Sequence, residues 1–216
     1  MKLFFNFTSC ISRVAIGLML ALMFATMVPL VALAETYVVS PGEKNTVTFI
    51  SKAPMETFEG VTDQISGTIE FNRAAVSTGV TVTLSVDLAS IDTGIGKRNT
   101  HMRERHLETD KFPVATFVST SVVDPEALDL SVGKAVNYLV VGEFDLHGVK
   151  REQEVEVTVT LLESGDIHVI ATFPVDLADH EISRPKFLFL KLNEVQVVTV
   201  DFVAHPKPSP PPDGTN

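Results

Sequence analysis

An alternation of apolar and polar residues, repeated from Tyr37 to Ala204, is the feature that most constrains the fold of this chain. In the segment 81–88 (TVTLSVDL), a valine or leucine occupies every second position, with threonine, serine or aspartate between them. Successive side chains of a strand point to opposite faces, so this period predicts sheets with one apolar and one solvated face. The runs predict strands near 36–40, 46–51, 64–72, 80–89, 114–123, 136–147, 153–162, 167–176 and 194–204.

Antiparallel strands with one solvated face form either a closed barrel or a sandwich. Strand length bears on this choice, because the segment 81–90 spans roughly 33 Å at the usual rise per residue. Strands of that length can wall an elongated cavity.

The segment 90–117 interrupts the alternation and concentrates glycine, histidine and charged residues. Within it, the stretch from Lys97 to Glu108 is the one convincing helix, and it is too short and too polar to form a layer of the core. We therefore predict an ordered crossover loop with one short helix at the mouth of the β-structure. Such loops commonly carry the binding residues of a rigid scaffold.

Residues 1–34 have the pattern of a signal peptide for export. Lys2 and Arg13 are their only charged residues, an apolar run follows, and Ala32-Leu33-Ala34 fits a cleavage site. We predict cleavage at this point. The alternative is an uncleaved membrane anchor, because residues 14–34 carry no charge and are long enough to span a bilayer.

The remaining residues, 35–204, are enough for one domain with its own core, and the proline-rich residues 205–216 predict a disordered tail. Cys10 is the only cysteine and would leave with the signal peptide, which excludes disulfides and cysteine-based chemistry from the mature protein. The 27 acidic residues outnumber the 17 basic ones, for a net charge of −10. This charge repels phosphate backbones and acidic membrane surfaces, so nucleic acid is not an expected partner.

The crossover loop also contains candidate polar ligands. His101 and His106 superficially resemble a zinc-binding helix, but they are five residues apart rather than four, and therefore point in different directions. We predict no metal site. Arg98 and His101 instead belong to a local basic spot, and His147 precedes Gly148 at a predicted hairpin turn. We predict that Arg98, His101 and His147 form the polar mouth of a binding site.

Short motifs along the chain occur in an order that is typical of one known family. They are Tyr37-Val38-Val39, Thr46-Val47-Thr48-Phe49, Phe58-Glu59-Gly60, Ile65-Ser66-Gly67-Thr68-Ile69, Ser90-Ile91-Asp92-Thr93-Gly94, Arg98-Asn99, His101-Met102-Arg103, Leu107-Glu108-Thr109, Phe112-Pro113, Leu146-His147-Gly148-Val149-Lys150-Arg151 and Ile182-Ser183-Arg184-Pro185-Lys186. With these motifs in this order, the chain resembles the YceI-like lipid/polyisoprenoid-binding proteins of bacterial periplasms.

The resemblance implies an all-β fold, an extended antiparallel lipocalin-like barrel of about eight strands, whose apolar interior holds a long isoprenoid tail. It implies a periplasmic or secreted carrier or store and not an enzyme. It also implies no cofactor apart from a bound isoprenoid or quinone-type lipid. After signal cleavage no membrane span would remain, and the sequence leaves a homodimer open.

Apolar positions of the alternating strands are the expected lining of the cavity. They are Phe49, Phe71, Val82, Leu84, Val86, Leu88, Phe117, Phe144 and Leu146. Two alternatives remain. The first is a hydrolase or lyase that pairs His101 with Asp92 or Asp110 as acid and base. The second is a structural or stress-response barrel with a solid interior, which the absence of a large apolar cavity would favour.

Overall fold

The computed structural model describes residues 35–42, 44–52, 57–71, 79–123, 130–187 and 190–207, with the backbone alone at 186–187 and 190–191. In these residues the chain forms twelve strands and one α-helix, α1 (Gly96–His101). The strands are β1 (Glu35–Val39), β2 (Thr46–Lys52), β3 (Thr57–Thr62), β4 (Ile65–Phe71), β5 (Thr81–Asp87), β6 (Val114–Val123), β7 (Ala135–Leu146), β8 (Val149–Leu161), β9 (Ile167–Asp176), β10 (Lys186–Phe187), β11 (Leu190–Lys191) and β12 (Val195–Pro206). The predicted signal peptide lies outside the described residues.

Strands β1, β4, β5, β6, β7, β8, β9 and β12 follow one another around a sheet in which every ladder is antiparallel. Strand β12 then pairs back onto β1, with Tyr37 opposite Pro206 and Val38 opposite His205. Within the described part of the chain this closes a ring of eight strands. The predicted all-β barrel with one short helix is confirmed.

One edge of β12 pairs with two different strands along its length. Near its end it pairs with β1, whereas from Val197 to Asp201 it pairs with β2, which in turn pairs with β3. The barrel is thus walled by β1 at the end where β5 begins, and by β2 and β3 at the end where β5 finishes. We call these the lower end and the upper end. Barrel diameter grows with strand number, so replacing one strand by two widens the upper end.

Strands β3 and β4 are consecutive in the chain, but no ladder joins them in the described residues. A short segment after β5 closes this seam. Its Asp92 exchanges two backbone hydrogen bonds of 2.9 Å with Val61 of β3, and Ser90 shares a hydroxyl contact with Thr62. The wall of the barrel is continuous there through loop contacts.

Most predicted strands coincide with observed ones, and the bounds of β6 and β9 match the predicted ranges 114–123 and 167–176. Strand β3 was not predicted. Its sequence contains Gly60, and a Cβ at that position would lie only 2.2 Å from the ring of Phe49. Glycine is therefore required where this strand passes over an aromatic side chain, and it obscures the strand pattern in the sequence.

The crossover from β5 to β6 follows the prediction of one short helix. A 3₁₀ turn at Leu88–Ser90 comes before α1, and a π-helical turn at Met102–His106 extends it. The predicted helix from Lys97 to Glu108 therefore corresponds to α1 together with the π-helical turn. Glu108 ends the helical region with a left-handed backbone conformation, at φ 44°. The crossover joins the end of β5 to the start of β6, which pair at the upper end of the barrel, and it therefore lies at that end.

The most deeply buried side chains of the core lie at the lower end. Tyr37 and Phe202 are 0% and 1% exposed, and the ring of Tyr37 stacks on Phe71 at 5.4 Å. Strand β12 extends to Pro206, two residues into the predicted tail. The reason is its pairing with β1, which Lys207 continues by donating its N–H to Thr36. Residues 208–216 lie outside the described part.

In the described residues, none of the helices has the length and apolar character needed to cross a bilayer.

Candidate ligand-binding cavity

The interior of the barrel contains a cavity of about 930 Å³. This volume lies toward the top of the range of roughly 300–1,000 Å³ that is usual for small-molecule sites. The inward positions of the alternating strands supply most of its wall, and apolar residues dominate it. The same alternation that builds the barrel therefore also makes its interior apolar.

Partial accessibility of inward-facing side chains indicates that the interior is hollow. Val82, Leu84 and Val86 point into the barrel from β5, yet each remains partly accessible, because it borders the cavity. By comparison, Val136 of β7 is 1% exposed and lies outside the cavity lining. A barrel filled by its own side chains would bury both sets equally. The solid interior considered above is not observed.

The structure brings most of the predicted binding residues together around this one cavity. The predicted residues that line it are Phe49, Phe71, Val82, Leu84, Val86, Leu88, Arg98, His101, Phe117, Phe144 and Leu146. His147 is the exception. Their binding roles remain predictions, since no ligand is present.

Arg98 lines the upper end of the cavity, but the protein itself engages its guanidinium. The Nε atom donates to the hydroxyl of Thr93 at 3.0 Å, and a terminal nitrogen donates to the Thr93 carbonyl at 2.8 Å. The guanidinium also stacks over the ring of Phe58, 4.0 Å from its centroid. Arg98 thus ties the start of α1 to β3, and its position is set by these contacts.

The crossover contributes further basic side chains to the cavity. Lys97, His101 and His106 all line its upper end. The ring nitrogen Nδ1 of His106 donates to the Ser183 carbonyl at 2.8 Å. Burial lowers the pKa of His106, and the hydrogen bond to Ser183 opposes this effect only in part. His106 is therefore a neutral wall residue near neutral pH, held against the segment after β9.

His147 was predicted at the polar mouth, but the structure places it outside the lining of the cavity. It occupies the two-residue turn between β7 and β8, with φ 57° at His147 and 75° at Gly148. This left-handed turn directs the ring onto Phe112, with centroids 4.5 Å apart. Its two nitrogens contact the Glu108 carboxylate at 3.2 Å and the His180 carbonyl at 3.1 Å. His147 joins three elements of the upper end outside the cavity.

The acid–base pair of the enzyme hypothesis is not assembled in the described residues. The carboxylate of Asp92 accepts hydrogen bonds from the Asn99 side chain at 2.7 Å and the Gly94 N–H at 2.8 Å. The Asn99 hydrogen bond, with that of Gly94, lowers the pKa of Asp92. Neither Asp92 nor the exposed Asp110 lines the cavity or bonds to His101. Asp92 holds a turn.

Comparison with known proteins agrees with this geometry. The family model described as YceI-like domain matches residues 37–204, which includes the whole ring of strands except the first and last two residues. The chain belongs to the YceI-like family. Among curated relatives of this YceI-like protein, a UPF0312 protein of Shewanella sp. strain W3-18-1 is 33% identical over 128 residues, which are 58% of this chain and 62% of that protein. The chain thus spans about three fifths of the length of the curated relatives it matches.

Solved structures share the fold at lower sequence identity. A polyisoprenoid binding domain from Saccharophagus degradans, implicated in plant cell wall breakdown, has a TM-score of 0.64 at 20% identity, over 80% of this chain and 98% of that one. BcnA of Burkholderia cenocepacia has a TM-score of 0.62 at 20% identity, over 74% and 96% of the two chains. The YceI protein of Campylobacter jejuni has a TM-score of 0.54 at 17% identity, over 69% and 85%. These likenesses establish the barrel architecture.

Sequence reasoning missed several polar residues that line the cavity of this YceI-like barrel, among them Lys97, His106 and Ser51. Ser51 lines the cavity, is 1% exposed, and its hydroxyl has no hydrogen-bond partner in the described protein. The signal was available in the strand TVTFISK, where Ser51 shares a face with Val47 and Phe49.

Proposed function

We propose that this YceI-like protein sequesters or carries a polyisoprenoid or a similar long-chain amphiphile, such as a prenyl quinone, without transforming it chemically. The single observation that carries the proposal is the cavity of about 930 Å³, walled by apolar side chains of the barrel. An apolar tail is the occupant that such a wall favours, because burial in it removes hydrocarbon from water.

The energetics of burial support a tail as the source of affinity. Each isoprene unit contains five carbons, worth roughly 4 kcal/mol when fully buried at about 0.8 kcal/mol per methylene. A few units therefore exceed much of the cost of association, which is about 4–15 kcal/mol. Non-covalent binding saturates near −18 to −21 kcal/mol, so part of a long tail adds nothing further.

One structural relative supports this proposal. The domain from Saccharophagus degradans, with the same architecture, is described as polyisoprenoid binding. The absence of an assembled acid–base pair among the described cavity residues favours a carrier over an enzyme.

Native mass spectrometry of the purified protein tests the proposal, together with organic extraction of whatever is bound. We expect either a co-purifying long-chain lipid or, after delipidation, uptake of a prenyl quinone or prenyl alcohol at one molecule per chain. If the extracts contain no lipid and neither compound is taken up, the proposed function is wrong.

We further propose that the protein is exported and works in the periplasm or outside the cell. The signal-like pattern of residues 1–34 and the absence of cysteine after Cys10 support this location. The mass and N-terminal sequence of protein recovered from a periplasmic fraction test it, with a mature start at Glu35 expected. Recovery of the full-length chain from the cytoplasm alone would contradict it.

A further inference from the structure

The cavity of this strongly acidic protein has an unusual charge composition. The chain has 27 acidic and 17 basic residues, yet Lys97, Arg98, His101 and His106 line the cavity and, among its described lining residues, there is no aspartate or glutamate. The negative charges of the outer surface act over distances at which salt screens them, whereas the basic residues that border the cavity meet a ligand at contact distance. These residues are therefore the charged groups that a headgroup would meet at the upper end.

The basic residues differ in how far the protein already uses them. Arg98 donates to Thr93 and stacks on Phe58, and His106 donates to Ser183. The side chains of Lys97 and His101 have no hydrogen bond or ion pair with another described residue, although their backbones belong to the helix. Both lie on α1 and border the cavity. They are the basic side chains left to meet a ligand.

A buried hydroxyl lies at the same end. Ser51 is directly opposite Phe58 in the β2–β3 ladder, and the guanidinium of Arg98 stacks on that Phe58 ring at 4.0 Å. His101 follows Arg98 by one helical turn. Ser51 is 1% exposed, and its Oγ atom has no partner. Leaving a buried hydroxyl without a hydrogen bond is unfavourable, and a ligand oxygen bound beside Ser51 would relieve this cost.

We propose that the cavity selects an amphiphile with an oxyanion headgroup, a phosphate or a carboxylate, which Lys97 and His101 bind at the upper end while the Ser51 hydroxyl donates to it. This inference rests on the proposed function, since the tail supplies most of the affinity. The headgroup fixes the orientation of the ligand, with its charge at the crossover and its tail along the barrel. Charge-assisted hydrogen bonds are about twice as strong as neutral ones, so an oxyanion is preferred over an alcohol with the same tail.

Isothermal titration calorimetry with farnesyl phosphate, farnesoic acid and farnesol tests the proposal, because the three compounds share a tail. We expect at least one of the two anions to bind about tenfold or more tightly than farnesol, and the ratio between the anions identifies phosphate or carboxylate. In a Lys97→Gln/His101→Gln double variant the preference should disappear while farnesol binding is kept. Lys134→Gln is the matched control, because it removes a charge at the lower end and should leave the preference intact.

Ser51→Ala separates binding from structure. Removing an unpaired buried hydroxyl should leave the stability of the empty protein unchanged or raised, while the affinity for the preferred anion falls by about threefold or more. Unchanged affinity would exclude Ser51 from the headgroup site. Equal affinities for all three compounds in the wild-type protein would overturn the headgroup inference and leave the carrier function standing. If none of the three binds, the proposed function itself fails, and this inference with it.

Discussion

Val82→Phe tests directly whether the ligand occupies the barrel. Val82 points inward from β5, borders the cavity and is partly accessible. Phenylalanine adds four carbons at this position, nearly the size of one isoprene unit. Displacing four ligand carbons loses roughly 3 kcal/mol at 0.8 kcal/mol per methylene. This corresponds to a factor of about 200 in Kd at 1.4 kcal/mol per tenfold change.

A ligand that shifts toward the upper end recovers part of this loss, so we expect weakening of about 10- to 200-fold. The assay is titration of the delipidated protein with a prenyl amphiphile, alongside urea unfolding of the empty protein. In a filled core the added ring would cost about 1–3 kcal/mol. Because Val82 borders a void, we expect the free energy of unfolding to change by less than about 0.5 kcal/mol.

Thr83→Phe is the matched control. Thr83 is the next residue of the same strand and is exposed on the outer face, so an equal ring there should leave binding unchanged. Equal affinities of Val82→Phe and wild type would refute the reasoning, because the tail would then lie elsewhere. A loss of several kcal/mol of stability would contradict the hollow interior.

Two further variants test the upper end. Arg98→Lys should lower the free energy of unfolding by about 1–3 kcal/mol, because a lysine cannot keep both hydrogen bonds to Thr93 and the stack on Phe58. The control is Arg105→Lys, an exposed position where the same change should cost less than about 0.5 kcal/mol. Equal losses of stability in urea unfolding would argue against this anchoring role of Arg98. Burial lowers the pKa of His106 in the folded protein, so the unfolded chain takes up a proton at this residue first as the pH falls. The free energy of unfolding should therefore decrease below about pH 6.5 and level off once the pH is below the pKa of the folded state. His106→Asn should flatten this part of a stability–pH curve measured by denaturant unfolding, and an identical slope in the variant would contradict the assignment.

The alternation of the strands was enough to predict antiparallel sheets with one apolar face and the residues on that face, whereas the choice of a barrel over a sandwich came from the family resemblance. Val82, Leu84 and Val86 could be placed inward because the period of two leaves no other choice once one face is buried. The alternation no longer predicts which side chains face inward where the backbone departs from a regular strand. In β6 the register shifts between Ser119 and Ser121, and the shift turns Val122 into the cavity although regular alternation from Phe117 would turn it outward.

The polar part of the site was harder to predict, because it depends on contacts between distant segments. The sequence places Arg98 near the cavity but does not show that Thr93 and Phe58 hold its guanidinium. The backbone of His147 adopts φ 57° in the turn and its ring packs on Phe112, which the residue type alone does not predict. Two signals in the sequence pointed to polar residues in the cavity: the basic spot that contains Arg98 and His101, and the polar Ser51 on the apolar face of its strand.

The seam between β3 and β4 is a place in the described wall where no ladder joins neighbouring strands. Across it, β3 is held by the two Val61–Asp92 hydrogen bonds, the hydroxyl contact of Thr62 and the stack of Arg98 on Phe58, whereas the β7–β8 ladder pairs twelve residues on each strand. The crossover above is anchored by Arg98 and His106 and so is not a loose lid. The described wall is therefore joined at this seam by fewer backbone hydrogen bonds than at its antiparallel ladders, so local opening there breaks fewer of them.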